Sequence, residues 1–357
     1  MFIRGKNLIL FVESRYNRPI MNILYHLTSP SPPIPGTDAV FQEIAALRRR
    51  FGGECLQLYP LRRPSRIFPK LLYGLHQRRT LRQREPSVDL HHLYYATLYP
   101  FPWLRALHKP LIYSAVTGVG PQIDHVRADW LKAIHTIVSC NPRDEAALRA
   151  LRPARYRIIR PGIAVERFSS VPVPLRDELV LLVGSAPWIR RQFQTKGIDL
   201  LLNAAGSLPL RLVFLWRGLL RDELERHIAR RGLNRRVEII NEATDVNRVL
   251  ARVHATVVLA ETDRLVKAYP HSLMESLAAG KPVLVSGCIP MADYVTEAQC
   301  GEVVPYLTPD DLRAAIQRLM DHYSELQAKT LARGRADFAL APMLEAYGEV
   351  YTQAVEQ

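Results

Sequence analysis

"LVLLVGSAPWIRRQFQTKGIDLLLNAAGSLPLRLVFLW" runs from Leu179 to Trp216. An apolar run ends at Gly184, and a loop carries Arg190 and Arg191. A helical pattern begins near Lys196-Gly197, and "RLVFLW" closes the unit. Ile198, Leu201, Leu202 and Ala205 fall on one face at helical spacing. Both apolar runs are continuous rather than alternating, as in strands buried on both faces. The stretch predicts strand, helix and parallel strand, the repeating unit of a helix-covered sheet.

The same alternation extends in both directions. Upstream lie "NILYHL", "CLQLY", "VDLHHL", "PLIYSAV", "HTIVS" and "YRIIR"; downstream lie "RVEII", "ATVVLA" and "KPVLVS". Val40, Ile44, Leu47 and Phe51 form a second helical face. Between the two sets, "SSVPVPLRDE" reads as a linker. The expectation is an α/β protein with two Rossmann-like parallel-sheet domains facing a cleft, residues 21–172 and 173–340. Ligands of such sheets bind beyond the carboxyl ends of the strands, so the cleft is the expected site. Residues 341–357 read as a C-terminal helix that caps the second domain or crosses back to the first. Residues 1–20 read as an N-terminal extension, because "LILFV" is short for a signal core and a better strand follows Met21.

A chain of 357 residues suits two ordinary domains, and 48% hydrophobic with 23% charged residues suits a soluble globular protein. No apolar run approaches the roughly 20 residues that span a bilayer. Cys55, Cys140, Cys288 and Cys300 are scattered, which speaks against a disulfide framework or zinc site and fits a reducing cytoplasm. The net charge of +14 is polarised. Lys and Arg number 27 against 13 Asp and Glu up to Val180, and 21 against 21 from Leu181 onward. The first half is therefore expected to face something anionic.

Three cations near a helix start oppose the helix dipole, which favours anions there. Arg190, Arg191 and Lys196 make sense around a bound diphosphate, or as a solvated basic loop. In "AYPHSLMESLAAGKPVLVS" (Ala268 to Ser286), Glu275 also has two readings. Ser272 and Glu275 have the spacing of a capping box. Alternatively, a carboxylate at a strand–helix junction binds a ribose diol, while the helix start at Ser272-Leu273 offers N–H groups to phosphate. In "SPSPPIPGTDAVFQEIAAL", Gly36 permits close backbone approach, and Thr37 or Asp38 can cap the helix. No P-loop lysine follows.

"LRRPSRIFPKLLYGLHQRRTLRQREP" holds eight cations and one acid. As a helix it would align Phe68, Leu71, Leu72 and Leu75, either on an anionic membrane surface or against the domain core. The adjacent His91 and His92 on a strand point to opposite faces, which argues against a metal site.

Four segments resemble a family-4 retaining glycosyltransferase of the GT-B fold, over nearly the whole chain from Met21. They are "PPIPGTDAVFQEIAAL", "YRIIRPGIAVERF", "QTKGIDLLLNAAGSLP" and "HSLMESLAAGKPVLVS". The resemblance implies an acceptor-side first domain and a second domain that binds a nucleotide-sugar, UDP- or GDP-linked. It implies that Glu275 binds the donor ribose and Lys196 the diphosphate, assisted by Arg190 or Arg191, with Gly36 approaching from the other domain. No further cofactor and no metal are expected, since no D-x-D triplet is present. Lys267 departs from the pattern, standing where the family's first glutamate is expected. Gly184-Ser185 replaces a frequent Gly-Arg, and no clear histidine appears in "YSAVTGVGP", where Thr117 or Gly118 stands. The implied role is cytoplasmic polysaccharide or cell-envelope glycan synthesis, with peripheral contact at the inner membrane face and a glycan or lipid-linked acceptor. Rival readings are an epimerase or inverting enzyme of the same fold, a non-catalytic nucleotide-sugar-binding protein and, last, a nucleic-acid binder.

Overall fold

The computed structural model describes residues 21–30, 38–61, 68–120, 128–216 and 219–356. The N-terminal extension and Gly36 lie outside them.

Two six-stranded sheets form, and every strand pairing is parallel. The first contains β1 (Ile23–Leu27), β2 (Glu54–Gln57), β3 (Leu90–Tyr95), β4 (Leu111–Ala115), β5 (Thr136–Ser139) and β6 (Tyr156–Ile158). The second contains β7 (Leu179–Val183), β8 (Leu210–Leu215), β9 (Val237–Ile240), β10 (Ala255–Val258), β11 (Val283–Ser286) and β12 (Gly301–Val304). Their orders are β2-β1-β3-β4-β5-β6 and β12-β11-β10-β7-β8-β9. Each order reverses once, beside β1 in the first sheet and between β7 and β10 in the second. Such a switch point opens a crevice at the carboxyl ends of the strands.

The helix faces are those that the periodicity predicts. Val40, Ile44, Leu47 and Phe51 of helix Ala39–Phe51 are buried, as are Ile198, Leu201, Leu202 and Ala205 of helix Ile198–Ser207. Full burial of each large side chain contributes about 1.5–3 kcal/mol. Asp38 caps the first helix, its Oδ1 accepting from the N–H of Val40 at 2.8 Å and of Phe41 at 3.2 Å. Helix Leu340–Val355 packs on the first sheet, with Met343, Tyr347, Val350 and Tyr351 in the core beside Tyr25 and Phe51. The chain therefore passes between the domains twice. The second passage is bonded to the first domain where the N–H of Ile163 donates to the carbonyl of Phe338 at 2.8 Å.

The linker lies on the second domain. Lys281, 1% exposed, donates through Nζ to the carbonyl of Val171 at 2.6 Å. Tyr323 donates to the carbonyl of Val173 at 3.0 Å.

The basic stretch departs from a single helix. It forms short turns at Lys70–Leu72 and Leu75–Gln77 and then helix Arg78–Arg84. Gly74, at φ 80°, breaks the run. Leu71 and Leu72 are exposed, while Phe68 packs against the first domain's core, so the stripe is split. His91 and His92 face opposite sides of the sheet, one toward His26 and Glu85, the other toward Ser114 and Tyr351. Among the described residues no helix is long and apolar enough to cross a membrane.

Candidate functional site

The second sheet's switch point collects several of the predicted residues. Strand β7 ends at Val183, and at Gly184, just beyond it, there is no room for a side chain. A Cβ there would sit 2.3 Å from Ser272 Oγ, at the start of helix His271–Ala278. Lys196 follows a helical turn, Gln192–Thr195, and precedes Gly197, whose φ of 64° suits glycine. The turn is tied to the end of β10, where the N–H of Glu261 donates to the carbonyl of Thr195 at 2.7 Å. Lys196 is therefore folded inward. Its Nζ donates to Ser185 Oγ at 3.1 Å and to the carbonyl of Ala186 at 3.2 Å. Burial pulls its pKa down to about 8. An ammonium held in this way between two neutral oxygens gains more from an arriving anion than a solvated one would.

Helix His271–Ala278 carries Glu275, which is half-buried. Its N-cap is Pro270, and no side chain caps it. The capping-box reading of Ser272 and Glu275 is therefore corrected: helical backbone already begins at His271, and Ser272 lies inside the first turn. Leu273 is a second correction. Its side chain is buried, and its N–H donates to the carbonyl of Pro270 at 3.0 Å, leaving no donor for a phosphate. The Ser272 N–H has no such backbone acceptor among the described residues.

The two arginines precede the helical turn Gln192–Thr195, and Lys196 follows it. Arg190 is mostly exposed, with Nε 3.4 Å from Glu223 Oε2 on helix Arg221–Arg230. Arg191 is exposed at the N-cap of the turn.

Lys267 lies where the two domains meet. It lines a small cavity of about 30 Å³ with Glu43, Cys140, Tyr269 and His271, and also a cavity of about 340 Å³ beyond β1 and β3. Among the described residues no hydrogen bond or ion pair holds its ammonium. Burial lowers its pKa, and the charges of Asp38 and Glu43 partly oppose that shift. Lys267 occupies the position where the resemblance implies a carboxylate, and the carboxylate present here is Glu43, on the facing wall. Sequence reasoning missed Glu43 and His271. His271 had a legible signal, an imidazole in the first turn of a helix at a strand–helix junction. Burial and the Lys267 charge push its pKa down to about 3, so the ring is neutral. Its Nδ1 is buried with no partner among the described residues. Thr117 lines the larger cavity and donates through Oγ1 to the carbonyl of Ala96 at 2.7 Å.

Residues 185–337 match the family model "Glycosyl transferases group 1". The chain is 28% identical over 207 residues to the lipopolysaccharide glucosyltransferase WaaG of Escherichia coli (strain K12). That alignment covers 49% of this chain and 53% of WaaG, so the chain matches about half the length of this relative. Among solved structures, Anabaena HepE in complex with UDP and glucose superposes with a TM-score of 0.69 at 14% identity, covering 93% of this chain and 100% of that one. Sucrose-phosphate synthase from Thermosynechococcus elongatus superposes with a TM-score of 0.69 at 18% identity, covering 93% and 98%. With the two parallel sheets, these likenesses establish the fold as GT-B.

Proposed function

With a group 1 glycosyltransferase domain over residues 185–337 as the premise, we propose that this protein is a retaining, metal-independent glycosyltransferase. It moves a sugar from a nucleoside diphosphate sugar to a glycan or lipid-linked acceptor. The observation that carries this reading is Lys196, a buried ammonium at the switch point of the second sheet, adjoining the start of helix His271–Ala278.

Breaking the bond between the sugar and the diphosphate builds positive charge on the sugar and negative charge on the leaving group. Fixed donors aimed at that negative charge supply most of the stabilisation. Lys196 and the Ser272 N–H take this role, with Arg191 at the rim. Arg190 joins them only by leaving Glu223. Glu275 accepts from the two ribose hydroxyls, and Lys267 faces the donor sugar. The new bond to the acceptor oxygen forms on the face the diphosphate leaves. The acceptor's proton passes to a phosphate oxygen, so the step needs neither a protein base nor a metal.

UDP is the first donor base to test, since HepE was solved with UDP and with UDP-glucose, and GDP is the second. A basic first half with exposed Leu71 and Leu72 beside Lys70, Arg78 and Arg79 supports an anionic or lipid-linked acceptor at an inner membrane face. In liposome flotation, binding to anionic vesicles at low salt supports that contact, and no binding refutes it.

The deciding experiment is thermal unfolding with UDP, GDP and ADP, then transfer with the matching sugars and the product anomer read by NMR. Stabilisation by one nucleotide and a retained anomeric configuration are expected. Failure of every nucleotide on folded protein overturns the proposal.

A further inference from the structure

The larger cavity, of about 340 Å³, lies at the carboxyl ends of the first sheet's strands. Small-molecule sites occupy roughly 300–1,000 Å³, so this one suits a single sugar unit rather than a longer chain. Among the described residues its walls include Tyr59, Tyr73 and Tyr95, from three separate stretches of the sequence. Ring contacts fix them in place. Tyr59 meets Tyr73 edge-on, with centroids 5.2 Å apart. Tyr73 stacks on the buried Phe101 at 6.2 Å, and Tyr95 meets that same ring edge-on at 5.0 Å. Rigid aromatic walls offer flat apolar surface, which suits the C–H face of a sugar ring.

The polar groups of the cavity are of two kinds. Thr28 and Thr117 spend their own protons on backbone carbonyls, Thr28 on Tyr94 at 2.7 Å and Thr117 on Ala96 at 2.7 Å. Their oxygens keep lone pairs for a ligand's hydroxyls. Lys267 is the other kind. It reaches the cavity from the second domain, half-buried, and its ammonium has no hydrogen bond or ion pair among the described residues. The carboxylates whose charges act on it are otherwise engaged. Asp38 also lines the cavity, but its Oδ1 accepts from the first N–H groups of its helix, which offset its charge. Glu43 lies outside this cavity, its Oε1 accepting from Tyr94 at 3.1 Å and Tyr347 at 3.2 Å. An ammonium drawn out of water and left unpaired gains most from an arriving anion. A second cation, Lys70, stands 5.8 Å from the centre of the Tyr95 ring. The half of the chain that builds this domain carries 27 Lys and Arg against 13 Asp and Glu, so its long-range field also favours an anion.

We propose that this cavity holds the terminal sugar of the acceptor, and that this sugar bears a carboxylate or phosphate group received by Lys267. The proposal rests on the glycosyltransferase reading above and narrows its acceptor to an anionic sugar. The acceptor hydroxyl must reach the donor sugar, so a lysine that faces the donor also stands beside the acceptor. Because Lys267 belongs to the second domain, the acceptor site is complete only when the two domains face each other.

The test is saturation-transfer NMR on protein saturated with the nucleotide it binds, UDP or GDP, and titrated with glucuronate, glucose-6-phosphate and glucose. The bound nucleotide keeps the phosphate ester out of the diphosphate site. Wild type should bind at least one anionic sugar about fivefold or more tightly than glucose, and the tighter of the two identifies the group. Lys267→Met should bring that preference to within about twofold of none, and Lys267→Arg should keep part of it. Tyr95→Leu should weaken all the sugars by a similar factor and leave the preference in place. Should the Lys267 variants fail to fold, the wild-type ratio decides. A wild type that binds nucleotide but prefers neither anion to glucose, or binds none of these sugars, overturns this inference alone. A preference that survives Lys267→Met does the same. A wild type that binds neither UDP nor GDP overturns the functional reading first and this inference with it.

Discussion

Arg143, in the turn after β5, reaches across the cleft and grips both carboxylate oxygens of Asp293. Its Nε lies 2.7 Å from Oδ2 and its Nη2 2.6 Å from Oδ1. The same guanidinium donates to the carbonyls of Cys288 at 3.0 Å and Gly287 at 3.1 Å. Only a planar fork makes four such bonds at once. The pair is more than a third exposed on both sides, so solvent screens it and its contribution to stability is at most about 1 kcal/mol. Its larger effect is on the relative setting of the domains. Arg143→Asp should widen the cleft, read as an increased radius of gyration in small-angle scattering, and raise KM for the donor. Arg143→Asp with Asp293→Arg should recover part of both. Unchanged scattering in the single variant refutes the clamp.

Lys196 should be essential for turnover and not for folding. Lys196→Ala should lower kcat by about 10²- to 10³-fold, the usual effect of removing one preorganised donor to developing charge. The buried ammonium has a pKa near 8, and a bound diphosphate raises it. Wild-type affinity for the diphosphate should therefore be flat below pH 8 and weaken above it, as binding must then take up a proton. Lys196→Ala should lack that pH dependence. An identical slope in both proteins excludes Lys196 as the titrating group.

Glu275→Ala separates ribose binding from helix capping. Loss of a real cap costs about 1 kcal/mol. Helix His271–Ala278 has no side-chain cap, so that cost should be absent. A nucleotide at 100 times its Kd adds about 2.7 kcal/mol to wild-type stability, and the variant should lose most of this increment. Paired thermal melts with and without nucleotide give both quantities. A retained increment rules out the ribose role.

Lys281 connects the linker to the second domain through the carbonyl of Val171. Burial pulls its pKa down to about 8 from the ordinary lysine value of 10.5. Between those values the unfolded chain binds more protons than the folded one, so a rising pH favours the folded state. The cost of burying the charged form is present at pH 7 and relieved from about pH 8 upward. The stability of wild type relative to Lys281→Met should therefore increase from pH 7 to pH 10. Urea titrations at both pH values measure it, and a constant or falling difference contradicts the assignment.

The fold was legible because burial on both faces leaves continuous apolar runs, and because Val40, Ile44, Leu47 and Phe51 repeat at the helical period. Lys196-Gly197 also marked the start of the helix that follows, Ile198–Ser207. The basic stretch misled, because Gly74 takes a left-handed conformation that breaks a plausible helical stripe and leaves Leu71 and Leu72 outside. Ser272 and Glu275 misled locally, because their capping-box spacing is outranked by a helix that begins at His271.

By itself the sequence determined two parallel sheets and the helix faces that cover them. Each follows from short-range periodicity. The tertiary structure alone decided that Glu43, Lys267 and His271 share one cavity, that Tyr347 holds Glu43, and that Arg143 meets Asp293. Those partners lie on facing domains and on a helix that crosses back, and no local pattern records which residues a cleft brings together.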